Sequence, residues 1–513
     1  MCLVTSAPMS EPVDELRKLF QFQEASIDVG RPIIDGVVAQ DLPIRIPLRM
    51  MNRHGLIAGS TGTGKTRTLQ LLAEGLSRHG VPSFLADIKG DLAGMSKPGE
   101  ASPRVVERAA SLGVTFSPES FPVEFFSLTG RNGSQLRATV SSFGPVLLGK
   151  VLDLTNAQQS VLAMIFKYCD DRKLPLLDFK DLREVLQYLG DAGKTELKEY
   201  GAMSPATVGV LIRKTIELEQ QGADRFFGEP ELSIGDLMRA DPSGRGLVNI
   251  LTLSDVQDKP RLYSTFLMWL LGRFYLDLPE AGDLDKPKLV FFFDEAHLLF
   301  EDASSALVEH IEQVARLIRS KGIGVFFITQ TPKDVDEDVL AQLGSRVQHA
   351  FRVFTPTDAK NLRATASTFP KSSFAAIDES LTSMGIGEAL VTVLDPRGTP
   401  TETVVVRILP PNSSMGAISP QEYDAHLRTE TATKYATVVD RESAHEILRR
   451  KLDSAAATEE PEKERPRPTK KPRKEKSVLE EVLSSRTAQT AARQATRSIT
   501  QHVIRGLFGL LKK

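Results

Sequence analysis

Short apolar runs with almost no polar interruption recur along this chain, separated by longer stretches of helical period. Residues 56–58 (Leu-Ile-Ala), 81–86, 246–253, 290–293 (Val-Phe-Phe-Phe) and 324–329 (Gly-Val-Phe-Phe-Ile-Thr) are the clearest. A strand covered on both faces needs no polar side, so such runs predict a parallel sheet buried between helices. Further strands are predicted at 347–353 and 389–394, with an alternating run at 401–408. Apolar residues three and four apart predict helices over 68–76 and 261–276. From roughly 134 to 245 the pattern is helical, with 157–168, 179–189 and 205–221 as separate helices. This helical insert divides the sheet-forming part in two, which is tolerable because loop closure costs grow only logarithmically with length.

The ends differ from the core. Residues 13–28 have the spacing of a short amphipathic helix. Residues 27–47 are rich in β-branched side chains with turn signals at Gly30-Arg31-Pro32 and Asp35-Gly36, which predicts a small β-element. After Pro410-Pro411 a helical extension is expected over 411–453. Residues 454–476 mix Pro, Glu, Lys and Arg with no aromatic or large aliphatic residue, so they cannot bury a core and read as a disordered linker. Over 477–513 helical spacing returns, with Ile499, Val503, Leu507 and Leu510 on one face and no acidic residue from Arg486 onward. That basic helix is expected either to contact DNA phosphates or an anionic surface, or to dock its apolar face as ordinary packing. The expected organisation is therefore an N-terminal element (1–51), a core in two parts (52–133 and 246–410) around the insert (134–245), and the three C-terminal segments.

Composition narrows the class. With 41% hydrophobic and 25% charged residues the chain reads as globular, not disordered. A net charge of −2 supplies no global attraction to nucleic acid, so any such contact must be local. Cys2 and Cys169 are the only cysteines, which excludes a disulfide framework or a cysteine zinc site and fits a reducing cytosol. No apolar run reaches the ~18–20 residues that span a bilayer. Residues 1–12 lack a basic n-region and an apolar core, so no signal peptide is expected, and a cytoplasmic protein is the reading.

The candidate chemistry follows the first and fourth apolar runs. Residues 59–66, Gly-Ser-Thr-Gly-Thr-Gly-Lys-Thr, match the phosphate-binding loop G-x-x-x-x-G-K-[ST] in full. Gly59, Gly62 and Gly64 let the backbone curl so that it and Ser60, Thr61 and Thr63 aim N–H groups at phosphate oxygens. Lys65 is expected at the β- and γ-phosphates and the Thr66 hydroxyl on Mg²⁺, with Arg67 in the first helical turn completing the nucleotide-binding set. The start of the following helix adds anion affinity of its own. After the run 290–293, Asp294 is expected to hold Mg²⁺ and Glu295 to polarise the attacking water. An Asp-Glu pair there could also be a helix N-cap, a reading the complete phosphate loop disfavours. Gln330, at the end of the next strand, is a candidate γ-phosphate sensor, because ligands of parallel sheets gather at the carboxyl ends of strands. Arg53 stands ahead of the phosphate-loop strand, and Arg316 and Arg319 lie three apart before residues 324–329.

The chain at this point resembles the HerA-like ATPases of the HerA–FtsK superfamily, in their bacterial branch, over about residues 40–410. The resemblance rests on Asn52-Arg53-His54-Gly55 before the loop, Asp87-Ile88-Lys89-Gly90-Asp91, the stretch from Gln220 to Pro230, Asp294-Glu295-Ala296-His297, Ile328-Thr329-Gln330 and Leu343-Gly344-Ser345-Arg346. It implies a RecA-like P-loop NTPase core, a hexameric ring, and ATP-driven movement of double-stranded DNA. It also implies that Arg53 and Arg319 act on nucleotide, one of them from a neighbouring subunit. The segment before Asn52 is shorter than the β-barrel that archaeal members place there. Two other readings differ in class: an ATP-driven protein remodeller or regulatory switch, and a scaffold that binds nucleotide without hydrolysis, in which Glu295 would have no task.

Overall fold

Thirteen strands join in one sheet in the computed structural model of the chain, which describes residues 10–201, 203–300, 305–439 and 441–459. They are β1 (Ser26–Ile34), β2 (Val37–Val38), β3 (Ile44–Pro47), β4 (Gly55–Ala58), β5 (Ser83–Asp87), β6 (Val123–Ser127) and β7 (Ser134–Gln135). The others are β8 (Val248–Thr252), β9 (Leu289–Phe293), β10 (Ile323–Thr329), β11 (Ser345–His349), β12 (Glu388–Thr392) and β13 (Val404–Ile408). Their order is β2-β1-β13-β12-β11-β4-β10-β9-β5-β8-β6-β7, with β3 beside β1. From β11 to β7 every pair is parallel, and from β11 back to β2 every pair is antiparallel. A mostly parallel central sheet in which β10 lies between the phosphate-loop strand and the Asp294 strand is the RecA-like P-loop NTPase fold.

The apolar runs are buried on both faces because alternate side chains serve opposite layers. Phe292 joins the cluster formed by Leu69, Leu72 and Leu76 of the helix Lys65–Arg78. Its neighbours Phe291 and Phe293 point the other way. Phe291 meets Phe274 of the helix Pro260–Asp277 at 5.2 Å between ring centroids, and Phe293 meets Phe327 at 5.8 Å. Each such ring contributes roughly 1.5–3 kcal/mol through burial alone.

Two elements differ from the sequence pattern. The first helix is Ser10–Phe20 and stops well short of residue 28, because Leu16 and Phe20 are already in the core and the chain must turn to start β1 at Ser26. β1 extends the main sheet: residues 30–32 pair with 406–408 of β13. The helices Asn156–Arg172, Phe179–Gly190 and Pro205–Gln220 occupy the insert. The helix Ala444–Glu459 runs past Ser454. The rest of the segment read as a linker, and the basic helix read over 477–513, lie outside the described residues. No helix among the described residues is long and apolar enough to cross a membrane.

Candidate active site

The phosphate loop leaves β4 and returns as the helix Lys65–Arg78. Gly62 and Gly64 have φ of 76° and 123°, left-handed values that a side chain resists, so both loop bends need glycine. Gly59 N–H donates to the carbonyls of Thr329 and Gln330 at 3.3 and 3.2 Å, fastening the start of the loop to the end of β10. At the other end, Gly387 N–H donates to the Thr63 carbonyl at 2.8 Å. Lys65 folds back over the loop and donates from Nζ to the Gly59 and Ser60 carbonyls at 2.7 and 3.2 Å. Burial pulls its pKa below the ordinary lysine value, against the attraction of Glu295. Thr66 is half-buried in the first turn, and Arg67 beside it is exposed.

Beneath the loop lies a residue that the sequence did not single out. His349, fully buried at the end of β11, donates from Nδ1 to the Glu388 carbonyl at 3.1 Å. Its Nε2 therefore accepts from the Thr68 hydroxyl at 2.8 Å. Burial pushes its pKa down to about 4, so the ring is neutral and rigidly held. A Cβ on Gly59 would come within 2.6 Å of His349 Cβ, which makes this histidine the floor of the loop.

Across β10, the end of β9 carries the carboxylates. Asp294 is 2% exposed, and its Oδ1 accepts from Glu295 N–H at 3.0 Å. Oδ2 is buried without a hydrogen-bond partner among the described residues. Burial, then the neighbouring Glu295 charge, pushes the Asp294 pKa up to about 6. Glu295 has φ of 48°, a conformation that costs a non-glycine residue about a kcal/mol or more and clusters at functional sites. Its Oε1 is ion-paired with Lys89 Nζ, and His297 Nδ1 stands 3.4 Å from Oε2.

Lys89 comes from the Asp87-Ile88-Lys89-Gly90-Asp91 segment after β5, the strand next to β9. Asp87 shapes that segment by accepting from Gly90 N–H at 2.8 Å and Leu92 N–H at 3.0 Å. Lys89 thus stands among the carboxylates of Glu295, Asp294 and Asp91, and Lys65 among those of Glu295, Asp294 and Asp334. Burial, partly opposed by the Leu92 donor and reinforced by the Asp91 charge, pushes the Asp87 pKa up to about 7. An unfolded aspartate titrates near ~3.9, so between that pH and about 7 the folded chain holds a proton that the unfolded chain lacks. The stabilisation is complete below the unfolded pKa and is lost as pH rises through the folded one. The melting temperature should therefore fall as pH rises from about 5 to 8, and Asp87→Asn should flatten the slope. An identical slope in that variant would assign the dependence to other groups.

Gln330 follows β10 with an exposed side chain between the phosphate loop and Asp294, lining a cavity of about 740 Å³ with His297, Lys333 and Asp358. The structure therefore brings residues 59–67, Asp294, Glu295 and Gln330 to one edge of the sheet. It places Arg53 and Arg319 at the opposite edge. Arg53 ends the short helical turn before β4, and Arg319 lies ahead of β10, whose seven residues put it ~23 Å from the loop side. Together with Arg316 they line a cavity of about 510 Å³. His54 anchors this corner: it accepts from Val325 N–H at Nδ1 (3.1 Å) and donates from Nε2 to the Ala315 carbonyl (2.5 Å). Neither Arg53 nor Arg319 forms a side-chain hydrogen bond or ion pair among the described residues. Burial, then the Arg319 charge, holds the Arg53 pKa below the usual guanidinium value.

The chain is similar to several known proteins. The DNA double-strand break repair helicase HerA of Sulfurisphaera tokodaii is 22% identical over 384 residues, 72% of this chain and 67% of that one. Its counterpart from Saccharolobus solfataricus is 21% identical over 409 residues, 75% and 69% of the two chains. Among solved structures, the bacterial conjugative coupling protein TrwB lacking 70 N-terminal residues aligns with a TM-score of 0.49 at 16% identity, over 79% of this chain and 93% of that one. VirB4 of Thermoanaerobacter pseudethanolicus aligns with a TM-score of 0.46 at 16% identity, over 78% and 98%. The model of the family described as Helicase HerA-like C-terminal matches residues 35–513. The chain belongs to this HerA-like helicase family and is an ATPase.

Proposed function

We propose that the chain hydrolyses ATP with Mg²⁺ as a ring of six copies, and that the ring moves double-stranded DNA. The observation that carries this reading is the distance of Arg53 and Arg319 from their own phosphate loop. Two unpaired guanidinium groups at one edge of the sheet, and a phosphate site at the other, complete one another when copies are arranged head to tail.

Within one site, the N–H groups of residues 59–64 and the Lys65 ammonium hold the phosphates, with Arg67 at the α-phosphate side. The partnerless Asp294 Oδ2 and the Thr66 hydroxyl are hard oxygen donors of the kind Mg²⁺ takes, and a nucleotide-bound Mg²⁺ needs few protein ligands. When bound, that ion neutralises charge on the β- and γ-phosphate oxygens. Glu295 orients the attacking water and Lys89 keeps its carboxylate in place beside Asp294. Gln330 contacts the γ-phosphate from the end of β10.

The test is phosphate release with and without long duplex DNA, at low and moderate salt. Stimulation by DNA that weakens as salt rises is expected for a motor gripping the phosphate backbone. Intact hydrolysis with no response to DNA at either salt would instead favour a protein remodeller or regulatory switch.

A further inference from the structure

Gln330 stands just past Thr329, the last residue of β10 to pair with a neighbour, where it faces Ala58 of β4. Beyond that register the sheet no longer holds the backbone. The aim of the Gln330 carboxamide then depends on whatever fixes the residues on either side of it. One carboxylate does this. Asp334 Oδ2 accepts from the Thr329 hydroxyl at 2.8 Å and from Thr331 N–H at 2.9 Å, and its Oδ1 accepts from the Thr331 hydroxyl at 2.7 Å. We infer that Asp334 is a positioning residue for hydrolysis: it clasps the chain on both sides of Gln330 and so sets that side chain against the γ-phosphate. The inference rests on the reading of Gln330 as the γ-phosphate sensor.

The clasp is more than a turn cap. Capping the short helical turn Pro332–Asp334 needs only the N–H and hydroxyl of Thr331. The bond to Thr329 reaches back across Gln330 to the fully buried end of β10. An ionised carboxylate offers acceptors alone, and three donors from two residues converge on this one. The turn that carries it is itself anchored. Pro332 is buried and Val335 is 2% exposed, and the Asp334 and Val335 N–H groups donate to the Thr331 and Pro332 carbonyls at 3.1 and 3.2 Å. Asp334 also lines the same cavity as Gln330.

The consequence falls on chemistry, not on nucleotide affinity. The Gln330 carbonyl accepts from Gly59 N–H, but that N–H also donates to the Thr329 carbonyl, and Thr329 is paired with Ala58 whether or not the clasp is present. The phosphate loop therefore keeps an anchor when the clasp is lost. The Gln330 side chain is exposed and forms no hydrogen bond of its own among the described residues, so nothing else fixes it. Displacement of a positioning group by about 1 Å can cost ~10²-fold in rate.

Phosphate release by the full chain at saturating Mg²⁺–ATP, beside nucleotide titration, tests the inference. Gln330→Ala should lower kcat about 10²-fold. Asp334→Ala should lower it about tenfold or more with ATP affinity unchanged. Asp334→Asn keeps an acceptor for Thr331 N–H and a polar group for the hydroxyls, and should recover most of that loss. Thr329→Val removes only the hydroxyl at nearly constant volume and should lower kcat about threefold or more. It carries the same test if Asp334→Ala does not fold. Added to Gln330→Ala, either change should cost nothing further, because the clasp then has no side chain to aim. Losses that add in full, or an unchanged kcat in both Asp334→Ala and Thr329→Val, would overturn the inference. Failure of the underlying reading looks different: Gln330→Ala would then hydrolyse ATP at the wild-type rate.

Discussion

Glu295→Gln should bind ATP with wild-type affinity and lose turnover by about 10²–10⁴-fold, whereas Lys65→Ala should lose both. The carboxamide keeps the size of the side chain and the backbone at φ 48°, but removes the charge that pairs with Lys89 and that, on the proposed reading, polarises water. Ground-state nucleotide does not need that charge, so affinity survives and the effect falls on the chemical step. Lys65 differs because on the proposed reading its ammonium meets the phosphates, and it also ties the loop together through the Gly59 and Ser60 carbonyls. Fluorescence titration of nucleotide beside phosphate release separates the two variants. Undiminished release by Glu295→Gln would remove its role and restore the non-hydrolysing scaffold.

Removing Arg53 should cost about 10³–10⁵ in kcat, the range for a guanidinium that stabilises a transferring phosphoryl group. The decisive form of this experiment mixes two inactive variants, Lys65→Ala and Arg53→Ala. An Arg53→Ala subunit keeps its own loop and can take Arg53 from a Lys65→Ala neighbour, so some interfaces in a mixed ring are whole and activity should return. If labelled subunits exchange and no activity returns, Arg53 acts within its own chain or is structural. Arg319→Ala in the same format tests the other guanidinium in the cavity.

The core strands were legible because burial on both faces removes polar positions, leaving runs such as Val-Phe-Phe-Phe that need no context. β6 was not, because Val123–Ser127 is five residues long with Glu124 as its second, and its pairing with β8 and β7 makes it a strand. The loop and the Asp294-Glu295 pair carry their own local signatures. His349 does not, since its role depends on Thr68, far away in sequence and adjacent only once β11 lies beside β4. Lys89 was within reach. It follows a predicted strand at the carboxyl edge where ligands gather, but its partner Glu295 depends on β5 lying beside β9. The opposed placement of Arg53 could be anticipated from the direction of β4, whereas its sharing one cavity with Arg319 required the fold.

The strand order also sets a timetable for synthesis. β4, which carries the phosphate loop, is hydrogen-bonded only to β10 and β11, through residues 326–329 and 345–348. As the chain leaves the ribosome, β4 waits with both edges unpaired while the whole insert and the Asp294 strand are made. Unpaired apolar edges invite pairing with other chains, so this interval is when aggregation or chaperone capture competes with folding. β5, β8 and β6 can pair among themselves earlier, and the nucleotide site cannot. A nascent chain halted before residue 323 would thus contain every residue of the phosphate loop and still have no neighbouring strand to hold it open.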